Sequence, residues 1–278
     1  MSEADPAAGS GIDTSVPHSA RIWNYWLGGK NHFPVDREAG DAYIKVFPSV
    51  SAIARNQRAF MHRAVRALVT DMGVDQFIDV GTGLPMPAGE NTHETAQAHN
   101  PAARVLYVDN DPLVLAHARA LLTGTPQGAT HYLDADMHDV PALVDGAAEL
   151  LDLDRPVGVL LIGVLGHVLR MADARALVDA IMDRVCPGSY LVIADGVDPA
   201  ISGGAMQQAN DEYADTGGAG YISRGPDEVA SFFTGFEIVE PGMVHVEDWR
   251  PDPPGEVTTI GAGRQAHSGS YGTVARKP

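Results

Sequence analysis

The residues between positions 77 and 109 constrain the fold of this chain more than any other segment. Residues 77–85 read FIDVGTGLP, an apolar run that carries Asp79 and leads into a glycine turn. Residues 105–109 read VLYVD, a second apolar run that ends in Asp109. A strand, a glycine turn, a helix and a second strand tipped with a carboxylate form one half of a nucleotide-binding α/β fold. The pattern predicts a parallel sheet, and the kind of nucleotide becomes the question that decides function.

Predicted strands and helices alternate through the middle of the chain. Strands are predicted at residues 76–80, 104–109, 129–133, 156–163 and 189–194, and helices at 91–99, 112–122, 141–151 and 173–185. This order predicts an α/β, Rossmann-like, doubly wound sheet that is mostly parallel and has seven strands. The last third is less regular. Helices are predicted there at 203–214 and 226–233, and strands at 237–239 and 269–275, the last of them at the edge of the sheet.

The N-terminal quarter has a different composition. Residues 1–17 are rich in Ala, Gly, Ser, Asp and Pro and are predicted to be a disordered tail. Residues 20–47 contain Trp23, Tyr25 and Trp26 and are too aromatic for a linker. Residues 51–72 are predicted to form an amphipathic helix. Its polar face carries a basic stripe, for which a solvated face and a functional surface both remain open: Arg55, Arg58, His62 and Arg66.

Charge and cysteine content limit the classes of partner. The formal net charge of −17 opposes binding to phosphate backbones and acidic membranes, so neither nucleic acid nor a membrane is expected as a partner. The single cysteine, Cys186, excludes an intramolecular disulfide, and the histidines lack ligand spacing, so no metal site is expected. No signal segment and no run of about 18 apolar residues occurs, which predicts a cytoplasmic protein. Monomer and homodimer both remain open.

The glycine turn favours a cofactor without phosphate. A dinucleotide site needs a third glycine, but Pro85 follows Leu84 here, and the next helix begins too late to direct its amides at a pyrophosphate. Asp79 would also repel a diphosphate. S-adenosylmethionine is cationic and carries no phosphate, so it suits this turn better.

Each part of S-adenosylmethionine has a candidate partner. Asp79 can meet the ammonium group, and Asp109 can accept both ribose hydroxyls. Asp136, after the third strand, can accept from the adenine amine, although Asp134 is an alternative, and Met137 can cover the ring. The remaining candidates in these turns are Gly81, Gly83 and Asn110.

Several motifs together resemble a known family. They are residues 20–31 (ARIWNYWLGGKN), 36–37 (DR), 55–58 (RNQR), 77–85, 91–94 (NTHE) and 107–112 (YVDNDP). This combination resembles a family of S-adenosylmethionine-dependent methyltransferases that is common in actinobacteria and was formerly a domain of unknown function. The resemblance extends from about residue 19 to the C-terminus. It implies the class I methyltransferase fold and cofactor but no particular acceptor.

The resemblance also gives the N-terminal segment a role. In class I methyltransferases the segment before the first strand commonly folds over the cofactor, which implies a helical lid at residues 18–75 and a cofactor-binding domain at 76–278. Arg21, Tyr25, Lys30 and Asn31 are then candidate contacts to the methionine carboxylate or to the acceptor. An aromatic clasp that merely docks the N-terminus on the sheet is the alternative.

The predicted activity is methyl transfer to a small-molecule acceptor. Ligands of open α/β sheets bind at the carboxyl ends of the strands, and His167 follows the predicted fourth strand. Its pKa range makes His167 the first candidate for a catalytic base, with Tyr25 as the second. A catalytically silent S-adenosylmethionine-binding regulator and a nicotinamide-dependent oxidoreductase are the alternative functions.

Overall fold

The computed structural model describes residues 13–86, 91–121, 124–253 and 267–278. The predicted disordered tail therefore lies mostly outside the described residues. The helices are α1 (Ser19–Trp26), α2 (Pro34–Val46), α3 (Val50–Thr70), α4 (Thr92–His99), α5 (Pro112–Leu121), α6 (Val140–Leu150), α7 (Met171–Met182), α8 (Pro199–Ser202), α9 (Ala205–Asp215) and α10 (Pro226–Ser231). The strands are β1 (Gln76–Val80), β2 (Arg104–Asp109), β3 (Ala129–Asp134), β4 (Gly158–Ile162), β5 (Tyr190–Asp195), β6 (Glu237–Ile238), β7 (Val244–His245) and β8 (Tyr271–Arg276).

One mostly parallel sheet organises the fold. Its strand order is β3-β2-β1-β4-β5-β8-β6, and β7 also pairs with β8. Strands β1 to β5 are parallel, whereas β8 runs antiparallel to β5. The α/β class, the doubly wound order and the mostly parallel sheet are as predicted.

Two details of the predicted sheet are wrong. The sheet has eight strands and not seven, because two short segments, β6 and β7, each pair with a different part of β8. The C-terminal strand is also not an edge strand, since β8 lies between β5 on one side and β6 and β7 on the other. Its four central residues are all buried, as expected for a strand with neighbours on both sides.

The sheet is buried on both faces, which explains the continuous apolar runs of its strands. Alternate residues point to opposite faces, so Ile78 packs on the side of α6 and α7 while Phe77 packs on the side of α3 and α4. Helix α4 begins where the sequence predicts, because the Asn91 amide donates to Glu94 Oε2 at 3.0 Å and closes a capping box.

A third apolar cluster lies above the carboxyl ends of the strands. It joins Ile22 of α1, Tyr43 of α2, Ile53 of α3 and Met206 of α9. The C-terminal half of α3, from Phe60 to Leu68, packs instead against the sheet, so this helix links the two layers. Within the described ranges, no helix is both long enough and apolar enough to cross a bilayer.

Candidate functional site

A cavity of about 420 Å³ lies beyond the carboxyl ends of β1 to β5. The turns after these strands form one wall, and α1, α2, α3 and α9 supply the opposite wall. Among the cofactor-binding and catalytic candidates from the sequence, those that line the cavity are Asp79, Gly81, Gly83, Asp109, Asn110, Asp136, Met137 and His167. Parallel strands end at the same edge of a sheet, so the fold brings these side chains together.

The turn after β1 is tightly built. Gly81 has φ +68°, and a β-carbon there would lie 2.4 Å from Val164 Cγ2, so both backbone conformation and space require glycine. Asp79 Oδ2 accepts a hydrogen bond from Thr92 Oγ1 at 2.6 Å. Burial raises the pKa of Asp79, while this hydrogen bond and the charge of Arg58 oppose the rise. A cationic ligand group would stabilise the ionised carboxylate in the same way.

Asp109 is fixed at the end of β2 by backbone amides. Its Oδ2 accepts from the Gly83 amide at 2.8 Å, and its Oδ1 accepts from the Asp111 amide at 3.0 Å. Burial raises the pKa of Asp109, and these two hydrogen bonds counteract it. A carboxylate has about four lone-pair positions, so Asp109 retains capacity for hydroxyl donors in the cavity.

The turn after β3 separates the two candidate acids. Asp136 lines the cavity together with Met137, whereas Asp134 does not line it. Asp136 Oδ1 accepts from the backbone amide of His138 at 2.9 Å, and Asn110 Nδ2 donates to its Oδ2 at 3.3 Å. The hydrogen bond from the His138 amide is the main reason that the pKa of Asp136 is lowered. Its carboxylate is therefore an acceptor at neutral pH.

The lid contacts differ from those expected. Arg21 does not line the cavity: it is buried, donates to the carbonyls of Asp13 and Val16, and lies 3.5 Å from Asp36. Lys30 is exposed, and Tyr25 donates its hydroxyl hydrogen to Asp41 at 2.6 Å. Neither of these two residues lines the cavity, nor does Asn31, whose amide donates to Asn24. Tyr25 and Asn31 therefore bond within the N-terminal segment, whereas Arg21 also lies 3.9 Å from Asp111 in the loop after β2.

Other residues of the N-terminal helices line the cavity instead. Trp23 and Trp26 do so from α1, so the aromatic cluster both docks the segment and contributes to the site. His18 lines it as well and pairs with Asp111 at 3.0 Å. Burial favours a higher pKa for Asp111, but the hydrogen bond and charge of His18 lower it. This ion pair joins the start of α1 to the loop after β2.

Helix α3 contributes two residues that were not predicted as ligands. Gln57 and Arg58 both line the cavity. Gln57 Nε2 donates to Ser270 Oγ at 2.7 Å, which leaves the buried Gln57 Oε1 with no hydrogen-bond partner in the described protein. The basic stripe and the RNQR motif contain the signal for these residues. Two other residues of the stripe make structural contacts: His62 hydrogen-bonds with Thr95 Oγ1, and Arg66 pairs with Asp252.

His167 lies after β4 with one ring nitrogen committed to the backbone. Its Nδ1 is 3.1 Å from the carbonyl oxygen of Gly220, so Nδ1 carries the hydrogen. Burial lowers the pKa of His167, although the bond to Gly220 opposes the shift. The imidazole is therefore neutral at pH 7, and Nε2 is a basic lone pair. Across the described ranges, no group of three or more His, Cys, Asp or Glu side chains could hold a metal ion.

Comparisons with known proteins identify relatives of this chain. A family model described as S-adenosyl methyltransferase matches residues 5–278. The structure of a DUF574 family protein from Streptomyces avermitilis is 39% identical, with a TM-score of 0.87, over 96% of this chain and 100% of that chain. A candidate methyltransferase from Thermobifida fusca is 35% identical, with a TM-score of 0.84, over 99% of each chain.

A more distant structure shares the fold alone. The plantazolicin methyltransferase BpumL, solved with S-adenosylhomocysteine, is 13% identical with a TM-score of 0.51, over 93% of this chain and 95% of that chain. No curated protein matches this chain.

Proposed function

The chain belongs to the S-adenosyl methyltransferase family and is a methyltransferase that depends on S-adenosylmethionine, and we propose that its acceptor is a small molecule bound in the cavity. One observation carries the proposal. The cavity is covered by the lid helices α1 and α2 and by α9, and aromatic side chains of these helices line it. A concave, largely apolar pocket with a few polar groups is typical of small-ligand sites.

The cavity fits the cofactor that the family implies. We place the adenosine part against β2 and β3, where Asp109 accepts from the ribose hydroxyls and Asp136 from the adenine amine. Met137 covers the adenine ring. Gly81 and Gly83 leave room for the backbone to lie against the cofactor. When bound, S-adenosylmethionine supplies a methyl group on a positively charged sulfur.

The methionine part has partners on α3 and β1. Gln57 Oε1 is a buried acceptor without a donor, and leaving such a group unpaired costs roughly 1–3 kcal/mol, so a ligand donor is expected beside it. The ammonium group meets this need, with Asp79 supplying the negative charge. Arg58 lines the same end of the cavity and pairs with the carboxylate. His167 Nε2 accepts the proton of the acceptor where methylation requires its loss.

A transfer assay separates catalysis from silent binding. The protein is incubated with S-adenosylmethionine labelled in its methyl group and with a metabolite extract, and the extract is then analysed for labelled small molecules. We expect labelled products with the wild type and none after His167→Asn. Tight cofactor binding with no labelled product under any condition would favour the regulatory alternative.

A further inference from the structure

The charged groups that line the cavity are concentrated at one end. Arg58, Asp79, Asp109 and Asp136 all lie near the turns after β1, β2 and β3. Under the proposed function this end holds the cofactor. The acceptor must therefore occupy the other end, beyond β4 and β5.

We call this other end the aromatic chamber. Its walls are Trp23, Trp26, Tyr43, Met206, Tyr213 and Tyr221. The Trp23 and Trp26 rings lie 5.8 Å apart, and the Trp26 and Tyr43 rings lie 5.0 Å apart, measured between centroids. Rings at such distances present flat apolar faces and stack well on another planar molecule.

The chamber provides no charge to neutralise an ionic acceptor. Among the described residues, the only Lys, Arg, Asp or Glu side chains that line the cavity are the four at the cofactor end. Asp195, at the end of β5, is buried behind the cavity wall, where it accepts from Tyr221 Oη at 3.1 Å and lies 4.0 Å from Arg224. Burial of a charge without a partner is costly, so a cationic amine or a carboxylate is a poor occupant.

Asn210 supplies an unused hydrogen-bond donor. Tyr43 Oη donates to Asn210 Oδ1 at 2.6 Å, and burial raises the pKa of Tyr43, so this hydroxyl keeps its proton and fixes the amide orientation. Asn210 Nδ2 is then a buried donor with no partner in the described protein. Asn210 also lines the cavity. An acceptor oxygen on the bound molecule would satisfy this donor.

His167 is held rigidly at the same end. Its ring packs edge-on against Tyr221, with centroids 5.0 Å apart and planes at 90°. The Ile222 amide donates to the Gly166 carbonyl at 2.9 Å, and a β-carbon on Gly166 would lie 2.1 Å from the Tyr221 ring. Tyr221 is anchored by Asp195. These contacts fix the position of His167, whose Nε2 makes no hydrogen bond to any described residue.

We propose that the methyl acceptor is an uncharged, planar phenol that carries a second oxygen, with its ring between the aromatic walls, its hydroxyl at His167 and the second oxygen at Asn210. This inference rests on the proposed function. The phenol oxygen forms a bond to the methyl carbon, and the carbon–sulfur bond breaks with its electron pair left on sulfur. The phenol proton passes to His167 Nε2, so the products are an aryl methyl ether, S-adenosylhomocysteine and an imidazolium.

Binding of matched probes tests the chemistry of the chamber. The probes share one ring system: 2-naphthol, 6-acetyl-2-naphthol, 2-(aminomethyl)naphthalene and 2-naphthoate. Their affinities for the full chain saturated with S-adenosylhomocysteine are measured by calorimetry. We expect both naphthols to bind at least tenfold more tightly than the cation and the anion. We also expect 6-acetyl-2-naphthol to bind about fivefold more tightly than 2-naphthol. Equal affinity for either charged probe, or no binding of the naphthols, would overturn the inference.

Two variants test the role of Asn210. Asn210→Leu removes the amide at nearly constant size, so the preference for 6-acetyl-2-naphthol over 2-naphthol is expected to disappear. Tyr43→Phe leaves the amide but removes the hydroxyl that fixes its orientation, so the preference is expected to weaken without disappearing. Gln208→Leu is the matched control, because Gln208 is exposed on the same helix. If Asn210→Leu binds the two naphthols with the preference of the wild type, Asn210 does not donate a hydrogen bond to the second oxygen.

The base is tested separately with His167→Asn, whose amide can still donate to the Gly220 carbonyl. This variant is expected to bind 2-naphthol within threefold of the wild type but to methylate it at least 10²-fold more slowly. An unchanged rate would remove His167 from the reaction. Titration with S-adenosylhomocysteine alone keeps the two proposals distinct. If it binds and the naphthols do not, only the phenol inference fails, and if it does not bind, the cofactor site itself is wrong.

Discussion

Two arginines of α3 provide a direct test at the scale of single residues. Arg58 lines the cavity beside Asp79, whereas Arg55, about one turn away, does not. Arg58→Ala is therefore expected to weaken binding of S-adenosylhomocysteine by about 2 kcal/mol, since a charged hydrogen bond to the carboxylate is lost. Adenosine lacks the methionine part and is expected to bind both proteins equally well. Calorimetry of both ligands with Arg58→Ala, and with Arg55→Ala as the control, measures this difference. If Arg58→Ala lowers the affinity for both ligands equally, Arg58 does not bind the methionine carboxylate.

The acids after β3 form a second pair. Asp136 lines the cavity and Asp134 does not, although both follow or end the same strand. We expect Asp136→Ala to lower the affinity for S-adenosylhomocysteine by about 1 kcal/mol, because an acceptor for the adenine amine is removed. Asp134→Ala is the control and is expected to have no effect. If Asp134→Ala lowers the affinity and Asp136→Ala does not, Asp134 is the residue that accepts from the adenine amine.

Helix α3 gives a prediction at the scale of elements, because it buries a histidine among arginines. Burial, together with Arg58, Arg63 and Arg66, lowers the pKa of His62 to about 3. As pH falls below about 6.5, the imidazole of His62 is protonated in the unfolded protein but stays neutral in the folded protein. The free energy of unfolding therefore decreases as pH falls. This contribution amounts to about 2 kcal/mol at pH 5.

Denaturant unfolding at two pH values isolates this effect. Between pH 8 and pH 5, the wild type is expected to lose about 2 kcal/mol more of its unfolding free energy than His62→Gln. The comparison between the two pH values cancels any packing cost of the substitution. Identical changes in the two proteins would show that His62 is protonated in the folded state.

One fully buried acid joins the N-terminal helices α1 and α2. Asp36 of α2 accepts from the amides of His18 at 3.0 Å and Phe33 at 2.8 Å and lies beside Arg21. Asp36→Ala leaves Arg21 without its nearest carboxylate, at a cost of roughly 3 kcal/mol. The loss falls on α1 and α2, so we expect proteolysis within residues 19–46 to become roughly 10²-fold faster.

The sheet core is expected to stay resistant to the protease in this experiment. Glu38→Ala provides the control, because Glu38 lies exposed on the same helix. If cleavage became faster to the same extent in the sheet and in residues 19–46, the N-terminal helices would not unfold separately from the sheet.

The elements also show what could be predicted from the sequence and why. The strands β1, β2 and β5 and the capping box at Asn91 follow from local patterns, and the structure contains them. The position of β8 could not be predicted, because an interior strand differs from an edge strand only in what pairs beyond it. The pairing strands β6 and β7 have two residues each, too few to show a period.

The candidate site also contains residues that local sequence patterns predict and residues whose positions depend on tertiary packing. Asp79, Asp109 and Asp136 could be nominated because parallel strands all end at one edge of the sheet. Arg21, Lys30 and Tyr25 belong to an N-terminal segment whose packing is set by tertiary contacts, and none of them lines the cavity. Arg58 belongs to the basic stripe and Gln57 to the RNQR motif, and neither pattern distinguishes a side chain that lines a cavity from one with a structural contact. Periodicity places residues on a face of a helix but does not say what that face meets.

For the whole molecule, the fold and the charge distribution both separate a charged end of the cavity from an uncharged one. Under the proposed function, the acids at the ends of the strands bind the cofactor, and the helices α1, α2 and α9 border an uncharged space for the acceptor. The net charge of −17 adds a field that favours cationic and neutral ligands over anionic ones. A cofactor that carries a sulfonium and no phosphate agrees with that field.

The most direct test of this account is a calorimetric titration of the full chain with S-adenosylhomocysteine, with NAD⁺ as the comparison ligand. We expect binding of S-adenosylhomocysteine at one site per chain and no heat with NAD⁺. In Asp109→Ala the affinity for S-adenosylhomocysteine is expected to fall by roughly 1.5–3 kcal/mol, the contribution of a charged hydrogen-bonding group. Binding of NAD⁺ together with no binding of S-adenosylhomocysteine by the folded wild type would contradict the account.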